Sequence, residues 1–472
     1  MRQLPGSDAI FLSLETSTTH AHIGGVFVLE PVTDDFGFEK FKRHCAERLS
    51  LTPQFTSKLR EVPLGIDRPY VIEDPDFDVS NHLHRIAVPS PGSLRDLATL
   101  VADLYAHKLD RRLPLWEMWW IEGLEGGRVA VLTKTHHCLI DGVSGIGLAE
   151  LICDIQPDPP PRARRPAKPK RREREPTDLE LYLGGLWNSF GTPLRVARYV
   201  TQAAMRGLAM IPYAKNSSIG ASVPKVSFNA DIGPRRSVAW TTISLSDVRA
   251  MKKHHDVKVN DVVLELCSSA VRRYLEAQGE LPDEELVVSV PVSTRDTDDK
   301  APGNQLASMM VGWATDVADP VERLLKISEN TAHAKEMTAA LRAREIQAMG
   351  DTVAPAVLNL AYRTIASTAA SMTAPANAVV SNVPGAPVPL YLAGARIEAT
   401  YPVSLIMPGM GLNITVLSYM DRIDFGFTVD PDLVPDPWYL ADGIPLAMEE
   451  LKEASGIDRA VPLRNDVPEE TA

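Results

Sequence analysis

Apolar residues recur along this chain with two different periods, and the changes between them mark out its elements. Arg128 to Thr135 is rich in β-branched residues and follows Gly126-Gly127, which predicts a strand. Past it, Leu148, Leu151, Ile152 and Ile155 fall at i, i+3, i+4 and i+7, the stripe of a helix. Val238 to Leu245 has the pattern of a strand, and Asn260 is placed to cap a helix with the stripe Val263, Cys267, Ala270, Tyr274, ended by Gly279. Leu286 to Val292 is continuously apolar and predicts a buried strand. Leu412 to Tyr419 and Arg422 to Val429 flank a tight turn and predict a hairpin. The fold class expected is α/β, in two lobes.

Length supports the division, because 472 residues exceed one ordinary core. The sharpest break is a Pro-rich stretch from Pro157 that runs through Arg162, Arg164, Arg165, Lys168, Lys170, Arg171, Arg172 and Arg174; it cannot bury a core and predicts an exposed linker. Expected boundaries are an N-terminal lobe over 1–156, the linker over 157–178, a bridging segment over 179–230 and a C-terminal lobe over 231–472. Between Leu181 and Ala230 there is no Asp or Glu, while Arg195, Arg198, Arg206, Lys215 and Lys225 lie among apolar residues. Such a stretch suits either an anionic lipid surface or a helix bridging the body of the protein. The net charge of -12 argues against nucleic acid as a partner. Cys45, Cys138, Cys153 and Cys267 show no framework spacing and suit buried, reduced thiols of a cytoplasmic protein. The N-terminus lacks a signal-peptide core, and the longest apolar stretch, near Val353 to Ala370, is broken by Pro355 and Arg363, so no spanning helix is expected.

The chemistry concentrates in His136-His137-Cys138-Leu139-Ile140-Asp141-Gly142, at the predicted strand-to-helix turn. An imidazole with a pKa near ~6.5 is largely a free base at neutral pH. There it can take a proton from an alcohol as its oxygen attacks a carbonyl, then return it to the leaving group. An activated acyl group such as a thioester requires no metal. Gly142-Val143-Ser144-Gly145-Ile146 fails the serine-hydrolase elbow at its last position, and Gly145 and Gly147 make a poor dinucleotide loop. His82 with His84, and His254 with His255, lack a zinc-site spacing. The plain alternative is a pair of core histidines before an Asp-Gly turn.

The segment GRVAVLTKTHHCLIDGVSG resembles the bacterial wax ester synthase/diacylglycerol acyltransferase family, within the wider group of acyltransferases sharing the HHxxxDG motif. Ser7 to Glu15 with His22-Ile23-Gly24, Pro114-Leu115-Trp116, Asn260-Asp261, Pro291-Val292-Ser293 with Arg295, Gly303-Asn304, Ser381-Asn382-Val383-Pro384-Gly385, Gly411 to Thr415, and Asp430 with Val434-Pro435-Asp436 carry the resemblance along nearly the whole chain. Ala21 stands where that family often has methionine. The resemblance implies two chloramphenicol-acetyltransferase-like lobes, each a mixed sheet with helices, and an active-site tunnel between them. It implies transfer of a fatty acyl group from long-chain acyl-CoA, a substrate rather than a cofactor, to diacylglycerol or a fatty alcohol. His137 would be the general base, His136 its support, and Asp141 a structural residue paired with Arg295. Gly142, Asn260, Asp261, Ser381 and Asn382 are supporting candidates; Asn260 is equally a helix cap, and for Ser381-Asn382 a turn before Pro384 is the favoured reading over a contact with the oxyanion or CoA. The enzyme is expected to work peripherally at the inner membrane face or on lipid inclusions. Competing readings are a condensation-type enzyme using carrier-bound acyl groups and an inactive lipid-binding protein.

Overall fold

The computed structural model describes residues 1–33, 35–50, 52–139, 151–159, 174–189, 223–293, 306–340 and 376–457. Its strands are β1 (Arg2–Gln3), β2 (His22–Pro31), β3 (Ser57–Arg60), β4 (Tyr70–Glu73), β5 (Leu83–Ala87), β6 (Trp116–Glu122), β7 (Val129–His136), β8 (Ser237–Ser244), β9 (Val287–Ser293), β10 (Leu306–Gly312), β11 (Ala378–Val383), β12 (Tyr391–Leu392), β13 (Ala395–Val403), β14 (Leu412–Tyr419) and β15 (Arg422–Val429). The helices are α1 (Gly6–Leu14), α2 (Phe38–Leu49), α3 (Pro53–Thr56), α4 (Leu94–Tyr105), α5 (Asp178–Ser189), α6 (Leu245–His255), α7 (Val259–Gln278), α8 (Pro320–Ala340) and α9 (Pro437–Ala454).

Two six-stranded sheets, ordered β12-β13-β2-β7-β6-β5 and β10-β9-β11-β14-β15-β8, form the expected two α/β lobes, and β1-β4-β3 adds a small third sheet. Strand β7 lies inside the first sheet, antiparallel to β2 and β6. Its even-numbered apolar residues Ala130 and Leu132 share a core with Leu97, Val101 and Tyr105 of α4, while Val131 packs with Phe41 and Cys45 of α2 on the other face. The predicted hairpin is β14–β15, in register from Leu412↔Val429 to Tyr419↔Arg422. Its Ile414, Val416, Phe425 and Phe427 are covered by the apolar faces of α7 and α9. All four cysteines are buried and unpaired by disulfides.

Three local expectations are corrected. The stripe ending at Ile155 does not continue as helix: the chain leaves it after Ile152, Asp154 pairs with Tyr391, and Ile155 is exposed. Asp154 is claimed instead by its two main-chain bonds to Tyr391 and by Arg48, 2.5 Å from its carboxylate. Asn260 is not the cap of α7, which begins at Val259; the Lys258 amide donates to the Asp261 carboxylate at 2.9 Å, so the neighbouring acid closes the helix start. Ser381 and Asn382 lie in β11 rather than in a turn, held by parallel pairing with β14.

The largest departure from a division by sequence concerns β12 and β13. They come from the second half of the chain yet complete the first sheet, with β13 antiparallel to β2 from Ala395↔Pro31 to Val403↔Gly24. The C-terminal lobe is therefore not the whole of 231–472. Strand β13 and the residue after it also touch the second sheet: Thr400 donates its amide to the buried Asp424 carboxylate (3.0 Å), and the Ser404 amide donates to Thr428 Oγ1 (3.2 Å). The Trp240 and Tyr401 rings stack across this junction at 5.2 Å. The sheets come so close that a Cβ on Gly426 would lie 1.9 Å from the Pro402 carbonyl oxygen. Gly426→Ala is expected to force the sheets apart at a cost of about 1–3 kcal/mol, seen as a lowered Tm and an earlier denaturant midpoint; unchanged stability would contradict this packing.

Candidate active site

Both histidines are fixed through their main chain before any side chain is considered. His136 is the last residue of β7, opposite His22. Its amide donates to the Leu115 carbonyl at 2.9 Å, and the His137 amide donates to the Ala21 carbonyl at 2.8 Å. The segments on either side thus grip the chain where the ladder ends. The Leu115 carbonyl is held by its own motif: Trp116 is buried, donates its indole N–H to Phe55 (2.8 Å) and stacks on His82 at 4.4 Å. Pro114-Leu115-Trp116 is a packing element that positions a histidine amide. His84 similarly lies against Trp119, with ring centroids 4.2 Å apart.

The two rings have different surroundings. His137 stacks on Phe11 of α1, 3.8 Å between centroids and 12° between planes. His136 is buried, and its Nδ1 accepts the Cys138 amide at 3.1 Å, which leaves a neutral ring's proton on Nε2. Nε2 faces Glu15 Oε1 at 4.0 Å. Burial first, then the charges of Arg111 and His137, hold the His136 pKa down to about 3. Arg111 clasps Glu15 Oε2 through Nε (3.0 Å) and a terminal nitrogen (2.6 Å), and donates to the Leu12 carbonyl (3.0 Å).

More basic groups share this part of the lobe. His22 Nε2 is 2.8 Å from the Tyr105 carbonyl oxygen, and burial pushes its pKa well down. His20 is lowered to about 4, again chiefly by burial. Lys134, on the same face of β7 as His136, is buried and donates its ammonium to the Leu104 (3.1 Å) and His107 carbonyls.

In the second lobe the structure joins two motifs far apart in sequence. Asn382 of β11 donates from its amide nitrogen to Asn260 Oδ1 near the start of α7, at 3.3 Å. Asp261 is buried beside them and accepts from Ser328 Oγ (3.0 Å). Ser381 is half-buried next to Asn382. Asp141, Gly142 and Arg295 lie outside the described residues, and so does the expected Asp141–Arg295 pair. Phe11, Glu15 and Arg111 were not anticipated as site residues. The first two fall in the Ser7–Glu15 segment that carries the family resemblance, while Arg111 gives no sequence signal.

The wax ester synthase/diacylglycerol acyltransferase catalytic-domain profile matches residues 4–263, and the C-terminal-domain profile of the same family matches 302–452. The chain belongs to this family. It is an acyltransferase. A putative diacylglycerol O-acyltransferase of Mycobacterium tuberculosis (strain H37Rv) is 33% identical over 461 residues, 96% of this chain and 91% of that protein. The wax ester synthase/diacylglycerol acyltransferase from Marinobacter aquaeolei VT8 superposes with a TM-score of 0.71 at 28% identity, covering 97% of this chain and 100% of that one. The first condensation domain of the CDA synthetase matches with a TM-score of 0.54 at 15% identity, over 96% and 97% of the two chains, a likeness of fold alone.

Two outcomes are expected of this acyltransferase. Phe11→Ala frees the His137 ring from a stacking contact of the kind that contributes about 0.5–1.5 kcal/mol. Turnover should fall by up to about ten-fold, with Phe11→Tyr near wild type; full activity of the alanine variant would show the stack to be idle. His20, His22 and His136 all have folded-state pKa values below the unfolded ~6.5, so the unfolded chain binds more protons as pH falls. Stability is therefore lost on acidification through ~6.5 towards the folded values, by about 1.4 kcal/mol per pH unit for each such group. The Tm of His20→Gln should fall less steeply than wild type between those limits, and parallel curves would refute the assignment.

Proposed function

We infer that this protein transfers a fatty acyl group from long-chain acyl-CoA to the hydroxyl of diacylglycerol, and also to long-chain fatty alcohols, with His137 as general base. The observation that carries the reading is the placement of the adjacent histidines at the end of β7, with His136 engaged through its Nδ1 and His137 laid against Phe11. His136 is pushed to about 3 and its Nδ1 is already engaged, so it stays neutral and supports the turn. His137, laid against Phe11 at the turn that ends β7, is the residue proposed to exchange protons.

The acceptor oxygen attacks the thioester carbonyl while its proton passes to His137. The tetrahedral intermediate then breaks its C–S bond, and His137 returns the proton to the departing CoA sulfur. The products are an ester and free CoA. Acyl-CoA is consumed as a substrate, and no resident cofactor or metal enters the scheme. Asn260 and Asn382 are the candidates to steady the oxyanion from the second lobe. Asp141 acts as a structural residue with Arg295, and Gly142 gives the backbone room. No helix among the described residues is long and apolar enough to cross a membrane. The proposed place of work is peripheral, at the cytoplasmic membrane face or on lipid inclusions.

The deciding assay supplies palmitoyl-CoA with diacylglycerol and hexadecanol in competition and resolves the lipid products. Triacylglycerol and wax ester are both expected. His137→Ala should lower the rate by ~10²–10⁴, far more than the loss of its stack on Phe11 alone would. Activity close to wild type in that variant sinks the general-base role, and failure to acylate either alcohol sinks the substrate assignment.

A further inference from the structure

Thr18 lies between the two contacts that hold His137. Before it, α1 carries Phe11, which stacks on the His137 ring; after it comes Ala21, whose carbonyl accepts the His137 amide. The chain between them closes on itself through Thr16. The Thr16 amide donates to the Thr19 carbonyl at 3.0 Å, and its hydroxyl oxygen accepts the Thr18 and Thr19 amides at 3.2 and 3.0 Å. His20 adds a ring nitrogen 3.4 Å from the Ser17 carbonyl oxygen. These bonds are local. They fix the shape of the turn but not where it stands against the rest of the protein.

An anchor comes from the far half of the chain. Arg236, the residue before β8, is buried and donates from one terminal nitrogen to the Thr18 carbonyl. Its other terminal nitrogen donates to the Gly233 (2.8 Å) and Arg235 (2.6 Å) carbonyls, which curls the preceding residues around the guanidinium. That curl is pinned in turn. The Gly233 amide donates to Asp430 Oδ2, Asp430 Oδ1 accepts the Asp432 amide at 2.8 Å, and the Asp430 amide donates to the Gly411 carbonyl at 3.3 Å. Gly411 and Asp430 belong to segments that carry the family resemblance, and the reaction scheme gives them no part. Burial lowers the Arg236 pKa to about 10 against the opposing charge of Asp430, so the side chain is still a cation at neutral pH.

Taking a guanidinium out of water is costly unless its donors are engaged, and here one of them is engaged by the opposite lobe. We propose that Arg236 is a positioning residue for acyl transfer. From the second lobe it fixes the Thr16–Thr19 turn, and with it Phe11 and the Ala21 carbonyl on either side, in the place that aims the His137 ring. The inference rests on the reading of His137 as general base. Leverage of this kind is large, because displacing a reacting group by about 1 Å can cost about 10²-fold in rate.

The test is steady-state kinetics of the full-length protein with palmitoyl-CoA and hexadecanol, at a temperature where circular dichroism shows every variant folded. Arg236→Gln should lower kcat by about ten- to a hundred-fold and leave the KM for palmitoyl-CoA unchanged. Thr16→Val, on the other side of the lobe junction, should give the same split with a smaller loss, and Thr16→Ser, which keeps the hydroxyl, should recover most of it. Both residues act on one turn, so the double variant Thr16→Val/Arg236→Gln should lose little more than Arg236→Gln alone. In a His137→Ala background, Arg236→Gln should remove nothing further, because the group it aims is gone. Wild-type kcat in Arg236→Gln overturns the proposal, and so does a loss that appears equally in KM. A full Arg236→Gln loss on top of a crippled His137→Ala enzyme overturns it too, while leaving the base in place. Near-wild-type turnover by His137→Ala is the separate failure: it removes the general base, and the positioning role with it.

Discussion

The antiparallel ladder between His22–Pro31 and Ala395–Val403 governs the architecture. Closing a loop of that length costs chain entropy before any contact forms, and the cost is offset only where much apolar surface is buried at once. That burial is present: Val26, Val28, Leu132, Trp240, Ala399, Tyr401 and Val403 share one core drawn from both halves of the chain. The Tyr105 hydroxyl lies 2.9 Å from the His22 carbonyl oxygen and 3.0 Å from that of Val403, tying α4 to both strands of the ladder. His22 in turn pairs with His136. The histidine turn is thus anchored by a strand from the far half of the sequence, and the two lobes share one stabilising core.

A second constraint is electrostatic. His20, His22, Lys134 and His136 are crowded into one buried region, where four positive charges would be costly. Desolvation resolves the crowding by keeping the imidazoles neutral, while Lys134 finds backbone carbonyls for its ammonium.

What was legible in the sequence was local. β7, β8, β9 and the β14–β15 hairpin were predicted to within about a residue because their buried faces repeat along a single strand. The histidine motif stood out for the same reason, as a short run at the end of such a strand. The misreadings arose where two local signals competed. Asn260 and Asp261 are both good capping types, and the acid took the role by reaching back three residues to Lys258. Pro384-Gly385 argued for a turn at Ser381-Asn382, but parallel neighbours on both sides of β11 drew those residues into the sheet. The stripe through Ile155 was a true helical period overridden by pairing with Tyr391. Contacts that join distant segments left no pattern at all: the crossing of β13, Phe11 against His137, Arg111 on Glu15, and Asn382 on Asn260.

The seclusion of His137 bears on why such a site would transfer acyl groups rather than hydrolyse them. A base that activates an alcohol will activate water equally well, and water is far more abundant. The ring is only 8% exposed and lies flat against Phe11, in a turn gripped by the Leu115 and Ala21 carbonyls. Bulk water therefore has little access to the proposed base, whereas an alcohol carrying a long apolar chain can offset its own desolvation by burying that chain. Selection for a lipid alcohol over water then follows from the acceptor's apolar area, and no dedicated hydrogen bond to its hydroxyl is needed beyond the one to the base. The same apolar area would hold such an acceptor in a lipid phase, so the proposed acceptor and the proposed peripheral place of work have one physical cause.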